Sequence, residues 1–388
     1  MRIVIAPDSF KDCLPARQVA HAMAQGVRRI IPSAMIDLIP MADGGQGTVD
    51  AVLASPPGQR PKVTVTGPLG EPAAAEFALL QQGEVALFEM ACASGLERVP
   101  LSARNPMKTT TYGTGELLLA AIDSGAKRIL IGIGGSATND GGIGLAQAIG
   151  FRMLDHAGNE VSFGGDGLLE IDAIDPTHRD PRIDQVSIEV ACDVTNPLTG
   201  PSGASAIYGP QKGATPDMVR KLDEGLIRLA EIVQRDLGIH MDGPGAGAAG
   251  GLGGGLVAFT GARLKRGIDI VIDAVDLRHR LEAADLCLTG EGRMDAQSSF
   301  GKTASGVAAV AKEMGVPTVA IVGARMGEPT SLHELGITAI FDATPGPISL
   351  SEAVDHAPAN IAYVAEQVAR FFLSGHRTQS PGNFRHSR

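Results

Sequence analysis

Short, mainly apolar runs that end in a turn and hand over to an amphipathic helix lie near both ends of this chain. That arrangement restricts the fold more than any other feature. Residues 2–6 read as a buried parallel strand. Residues 15–31 set Val19, Met23, Val27 and Ile30 or Ile31 on one helical stripe, with Pro15 suited to the first turn and Pro32 ending it. A second strand, 35–41, leads into the loop ADGGQG and a helix through Leu53. This βαβα order predicts a parallel sheet covered by helices. The pattern returns from Asp285, with strands predicted at 285–289, 316–322 and 337–342. Helices are predicted at 303–314, around 330–335 and over 351–372.

Between these stretches the pattern differs. KVTVTGPLG, AAEFALL and EVALFEMA alternate as antiparallel strands do. A helix (YGTGELLLAAIDSG), a strand with a glycine loop (RILIGIGG) and a long amphipathic helix over 215–237 follow. The segment GPGAGAAGGLGGGLVAF permits close backbone packing. The reading is therefore α/β with two domains: a flavodoxin-like, parallel, three-layer domain of 1–62 plus 283–373, interrupted by a mixed α/β domain of 63–282. Two consecutive domains would leave 1–62 as a two-stranded fragment with little core. Residues 374–388, SGHRTQSPGNFRHSR, read as a disordered tail.

Five strands at this spacing suit the order 2-1-3-4-5, which puts 285–289 beside 2–6. The switch point of the sheet then lies between these two strands. Their C-terminal loops, 7–14 and 290–302, are where open α/β sheets bind ligands.

Composition narrows the function. Glycine is 50 of 388 residues and sits in discrete loops, as in enzymes with backbone-lined anion sites. A net charge of −10 argues against a nucleic-acid partner. The cysteines at 13, 92, 192 and 287 stand singly, as reduced thiols rather than disulfides or zinc ligands. Pro7 and Asp8 cut the first apolar run too short for a signal peptide, and no run reaches the ~20 apolar residues of a membrane helix. The expectation is a cytoplasmic enzyme of small-molecule substrates, compatible with a homo-oligomer.

The two loops carry chemistry. PDSFK presents Asp8, Ser9 and Lys11; TGEGRMDAQSSFGKT presents Glu291, Arg293, Asp295 and Lys302. Cations to neutralise phosphate oxygens, carboxylates to hold Mg²⁺ and a base for a hydroxyl are what phosphoryl transfer needs. AQSSFGKT also fits a relaxed Walker A pattern, although Phe300 crowds the turn and no partner strand ending in Asp follows. Three more loops, 42–48, 132–142 and 191–205, mix glycine with acid and offer Asp43, Asn139, Asp140 and Asp193. The amides of 132–142 could cradle an anion. Each has a plainer reading: Asp8 in an Asx turn, Asp43 and Asp140 as helix caps, a lone lysine as a surface cation. His21 reads as surface, and Met23, Met41 and Met90 as core. Convergence of several such loops on strand C-termini favours function.

The stretches IAPDSFK, PMADGGQGTVDA, IGIGGSATNDGG, ACDVTNPLTGPSGAS, YGPQKGA, PGAGAAGGLG and TGEGRMDAQSSFGK resemble the bacterial type-1 glycerate kinase family over residues 1–372. The resemblance implies a site in the cleft between two domains. The implied reaction is ATP-dependent phosphorylation of D-glycerate to 2-phospho-D-glycerate and ADP, with Mg²⁺. Asp12-Cys13 and Phe300 depart from the small residues common there. On this reading Lys11, Gly134, Gly135, Ser136 and Asn139 bind nucleotide phosphates. Arg293, with Ser9 and Asp8, binds glycerate through a planar fork suited to a carboxylate. Asp193 and Asp295 are the candidates for Mg²⁺ ligand and general base, in either assignment, and Lys302 neutralises the transferred group. Rival readings are phosphorylation of the 3-hydroxyl or of a related acid such as tartronate or hydroxypyruvate, a non-catalytic ATP or metabolite sensor, and an FMN binder.

Overall fold

The computed structural model describes residues 1–45, 47–54, 58–294, 302–327 and 330–377. The chain divides into two compact units, residues 1–42 with those from 272 onward, and residues 43–271. The divisions fall at 42/43 and 271/272, where the sequence suggests 62/63 and 282/283. The short helix Thr48–Leu53 goes with the second unit because it packs on the strand Val85–Glu89, whose Glu89 accepts the Val49 amide at 3.0 Å. At the other division, the helix Leu277–Leu281 packs on Thr303–Glu313 in the first unit.

The first unit holds a five-stranded parallel sheet in the order Met35–Leu38, Arg2–Ile5, Leu286–Thr289, Thr318–Val322, Ile337–Asp342. This is the 2-1-3-4-5 order expected, with Ile3 paired to Leu286 and Ile5 to Leu288. Ile3, Ile5, Leu286 and Leu288 are fully buried, as are Val19, Met23 and Val27 on the helix Ala16–Ile30. Each such side chain contributes about 1.5–3 kcal/mol on leaving water. Gly26 lets this helix meet the helix Ala357–Arg377 backbone to backbone. A Cβ at Gly26 would lie 2.0 Å from the Ala362 carbonyl oxygen.

Two element boundaries differ from expectation. The second strand stops at Leu38 rather than 41, because Pro40 has no N–H for the ladder, although Ile39 and Met41 still donate to Ile5 and Pro7. The predicted last helix is two, Leu350–Asp355 and Ala357–Arg377. Ser349 and Glu352 cap the first reciprocally, and Pro358 suits only the opening turn of the second. The second helix runs past Ser374 to Arg377; residues 378–388 lie outside the described residues.

The second unit carries a sheet in the order Arg263–Lys265, Ser187–Ala191, Arg128–Gly132, Val85–Glu89, Ala78–Leu80. Only the last pair is antiparallel. Lys62–Thr66 and Pro72–Glu76 form a separate antiparallel hairpin. EVALFEMA thus has an antiparallel neighbour on one side and a parallel one on the other, and its burial on both sides reflects that. The helix Pro216–Leu237 starts where the Thr215 hydroxyl accepts the Met218 amide and ends at Gly238 in the left-handed region. It buries Leu222, Leu226, Leu229 and Val233. Met23, Met41 and Met90 are core residues and His21 is exposed, as expected.

Candidate active site

In the first unit the loops after the first and third strands lie against one another. The Ala6 amide donates to Leu288 and the Asp8 amide to the Gly290 carbonyl at 2.8 Å, and the Thr289 hydroxyl donates to Ala6. A Cβ at Gly292 would sit 3.1 Å from the Lys11 nitrogen and from the Phe10 Cα, so this approach uses a bare glycine. Asp8 links the loops: Oδ1 accepts the Ser9 amide at 2.6 Å, and Oδ2 accepts the hydroxyl of buried Thr303. Thr303 opens the helix Thr303–Glu313, and half-buried Lys302 stands just before it. Lys11 is exposed in the turn between Phe10 and Leu14, where Asp12 takes φ 58°. Arg293 is exposed on the two-residue strand Arg293–Met294, paired in parallel with Ala324–Arg325. Asp8, Ser9, Lys11, Arg293 and Lys302 therefore come from loops at the C-terminal ends of neighbouring strands. Asp295 and residues 296–301 of AQSSFGKT lie outside the described residues.

The second unit gathers a further set at the C-terminal ends of its parallel strands. Gly44 is wedged there with φ +87°: a Cβ would lie 2.5 Å from the Ala191 Cβ and 2.8 Å from the Gly267 Cα. Asp43, beside it, is exposed and accepts the Gly45 amide at 3.1 Å, an Asx turn rather than a helix cap. Asp193 follows the strand Ser187–Ala191, and its Oδ1 accepts the Gly267 amide at 2.9 Å, where the helix Gly267–Ala274 starts. Desolvation of the carboxyl, and then the charge of Asp43, push its pKa above the usual carboxylate value; the Gly267 bond works against them. Burial likewise raises Glu89, despite the amides it accepts from Val49, Gly47 and Thr48 at the start of the helix Thr48–Leu53.

The turn after Arg128–Gly132 is pinned by two bonds, from Leu96 to the Gly135 carbonyl and from Ala137 to Ser94. Gly135 takes φ +72°. Among the described residues the amides of Gly134, Gly135 and Ser136 donate to no carbonyl, and Gly134 and Gly135 are exposed. Further along, the loop turns inward. Asn139 is fully buried and its amide donates to Ser205, so it supports the loop from inside the unit. Asp140 is buried as well, held by the amide and hydroxyl of Thr111 and by the Gly142 amide. Burial raises its pKa against those bonds.

One residue of this cluster carries no role in the sequence reading. Lys212 is 1% exposed, and its ammonium donates to the Ser136 hydroxyl oxygen at 2.7 Å and to the Thr138 carbonyl at 2.6 Å. Burial pulls its pKa down to about 7, with Asp140 opposing the shift. A lysine between glycines in a stretch such as YGPQKGA is ordinarily solvated, so nothing local marks this one as buried.

A parallel sheet with acidic and cationic loops at its switch point, and a second sheet whose strand ends offer carboxylates and free amides, define an α/β enzyme of the phosphotransferase type. The chain belongs to the glycerate kinase family, whose model, described as "Glycerate kinase family", matches residues 3–373. It is 48% identical over 370 residues to the glycerate kinase of Bacillus subtilis (strain 168), covering 95% of this chain and 97% of that one. It is 47% identical over 378 residues to the glycerate 2-kinase of Escherichia coli (strain K12), covering 97% and 99%. A crystal structure named for glycerate kinase 2 from Salmonella typhimurium LT2 superposes with a TM-score of 0.89 at 48% identity, covering 97% of this chain and 99% of that one.

Proposed function

We propose that this protein transfers the γ-phosphoryl group of ATP to the 2-hydroxyl of D-glycerate, giving 2-phospho-D-glycerate and ADP. The observation that carries the reading is, within the first unit, the meeting of two strand-end loops that bear Asp8, Lys11, Arg293 and Lys302, joined by the Asp8 amide bond to Gly290 and by the Thr303 hydroxyl bond to Asp8. The similarity to a relative named glycerate 2-kinase supports the choice of hydroxyl. Each unit has its own set of polar and charged groups.

Arg293 grips the glycerate carboxylate as a bidentate fork, with Ser9 and Asp8 beside it. The amides of Gly134, Gly135 and Ser136, together with Lys11, hold ATP phosphates, while Asn139 supports the turn from within. Lys302, at the start of Thr303–Glu313, offsets charge on the group in flight. Positioning and electrostatics supply most of the rate in such transfers.

Mg²⁺ fits the donor set. Among the described residues no cluster of three or more His, Cys, Asp or Glu forms a protein cage, but Mg²⁺ is commonly held by one or two carboxylates, substrate phosphates and water. Asp193 and Asp43 supply two carboxylates whose mutual repulsion a cation relieves; Asp295 is the further candidate from sequence, as ligand or as general base. Bound there, the ion would neutralise phosphate charge. No helix among the described residues is long and apolar enough to cross a membrane, in keeping with a cytoplasmic site of action.

The test is a coupled ADP-release assay over a panel of hydroxy acids, with ³¹P NMR of the product. D-Glycerate should give the highest kcat/KM and a 2-phosphate. A 3-phosphate, or ATP binding without glycerate-dependent turnover, overturns the proposal.

A further inference from the structure

We propose that Lys212 is a positioning residue that makes Ser136 a one-way hydrogen-bond donor toward a phosphate of ATP. The inference rests on the reading of the Gly134–Ser136 turn as the phosphate site. An ammonium has three protons and no lone pair, so in the contact at 2.7 Å the Ser136 oxygen is necessarily the acceptor. The serine proton must then point elsewhere, and among the described residues no acceptor takes it. The neighbouring amides of Gly134 and Gly135 are uncommitted in the same way. On this proposal the exposed Gly134 and Gly135 and the hydroxyl of Ser136, itself 6% exposed, give an incoming anion a row of donors, one of them fixed by a buried cation that the anion does not touch.

Lys212 is 1% exposed, which excludes direct phosphate contact. Its second bond, to the Thr138 carbonyl at 2.6 Å, ties both ends of the Ser136–Thr138 stretch to one atom. Its charge adds a field across the hydroxyl that strengthens donation outward, in a low-dielectric setting. A surface lysine would lose most of this to solvent screening. Burying an ammonium is costly, and here it secures the direction of one O–H.

The experiment is a double-mutant cycle on the full-length enzyme, using Lys212→Met, Ser136→Ala and the double variant. It reads ATP Kd by calorimetry, and KM for ATP and for glycerate by turnover. A hydrogen bond to a charged partner predicts roughly a tenfold or larger rise in ATP Kd for each single variant. The glycerate KM should change little, and the double variant should be no worse than the poorer single one. Losses that multiply in the double variant overturn the role of Lys212 while leaving the turn as the phosphate site. An unchanged ATP Kd in Ser136→Ala removes the phosphate reading of the turn, and this inference with it.

If Lys212→Met does not fold, the wild-type protein still gives a test. A neutral amine can accept the serine proton and turn the hydroxyl inward. Asp140 is the charged group that acts on Lys212 and favours its protonated form. ATP affinity should therefore fall as pH rises through the lysine's pKa of about 7, and Ser136→Ala should lack that fall. The same decline in both proteins overturns the proposal.

Discussion

Asp193 and Gly267 are joined by one hydrogen bond, the glycine amide donating to Oδ1 at 2.9 Å; the glycine abuts the Asp43–Gly44 loop, and the Asp43 charge acts on Asp193. The bond fixes the carboxylate at a strand end beside a like charge. Such an arrangement favours occupation by a cation over an empty site.

Asp193→Asn should therefore separate stability from activity. In the folded protein the pKa of Asp193 is raised, so the folded state binds its proton more tightly than the unfolded state does. Ionised Asp193 then costs stability, and the cost grows as pH rises from the ordinary carboxylate range through the raised pKa. In EDTA at pH 7 the variant should melt no lower than wild type, while in assays with Mg²⁺ its kcat falls about 100-fold or more. Mg²⁺ should raise the melting temperature of wild type only. A variant that melts lower in EDTA yet keeps its activity would contradict both assignments.

Gly267→Ala tests the packing under that site. A Cβ there would lie 1.6 Å from the Asp43 carbonyl oxygen, so the loop must move. Overpacking of this kind costs about 1–3 kcal/mol. Urea melts should show that loss, together with a higher KM for ATP. An unchanged melt would mean that the Asp43 loop yields freely.

Arg293→Lys keeps the charge and loses the fork. The KM for glycerate should rise roughly tenfold or more while the KM for ATP stays within about twofold. Steady-state kinetics with each substrate varied in turn decides it; equal rises would count against a carboxylate clamp.

Thr303→Val removes the hydroxyl that Asp8 accepts between two loops of the first unit. A half-buried carboxylate losing a hydroxyl donor predicts about 1–3 kcal/mol of destabilisation. Thr303→Ser should restore most of it, and failure of that rescue would point to the methyl group rather than to the bond.

Much of this fold follows from local sequence. The five apolar runs of the first unit and the stripe of Val19, Met23 and Val27 can each be buried in only one way, and the spacing between strands leaves one economical sheet order. The loops carrying Asp8, Lys11, Arg293 and Lys302 are legible for the same reason: strand C-termini in such sheets face a crevice. The division of the last helix was also within reach, since Pro358 suits only a first turn.

Other features depended on contacts between segments far apart in the chain. Helix Thr48–Leu53 joins the second unit because Glu89 accepts its amides, a pairing with no local signature. Asn139 and Asp140 look like loop residues in sequence, yet both are buried. Lys212 is the sharpest case. A lysine in a polar turn is ordinarily solvated, and only the folding of that turn onto the Ser136 loop strips its water and fixes its protons. Amino-acid pattern determines which faces leave water. The meeting of distant loops decides which polar groups are left with a single direction in which to act.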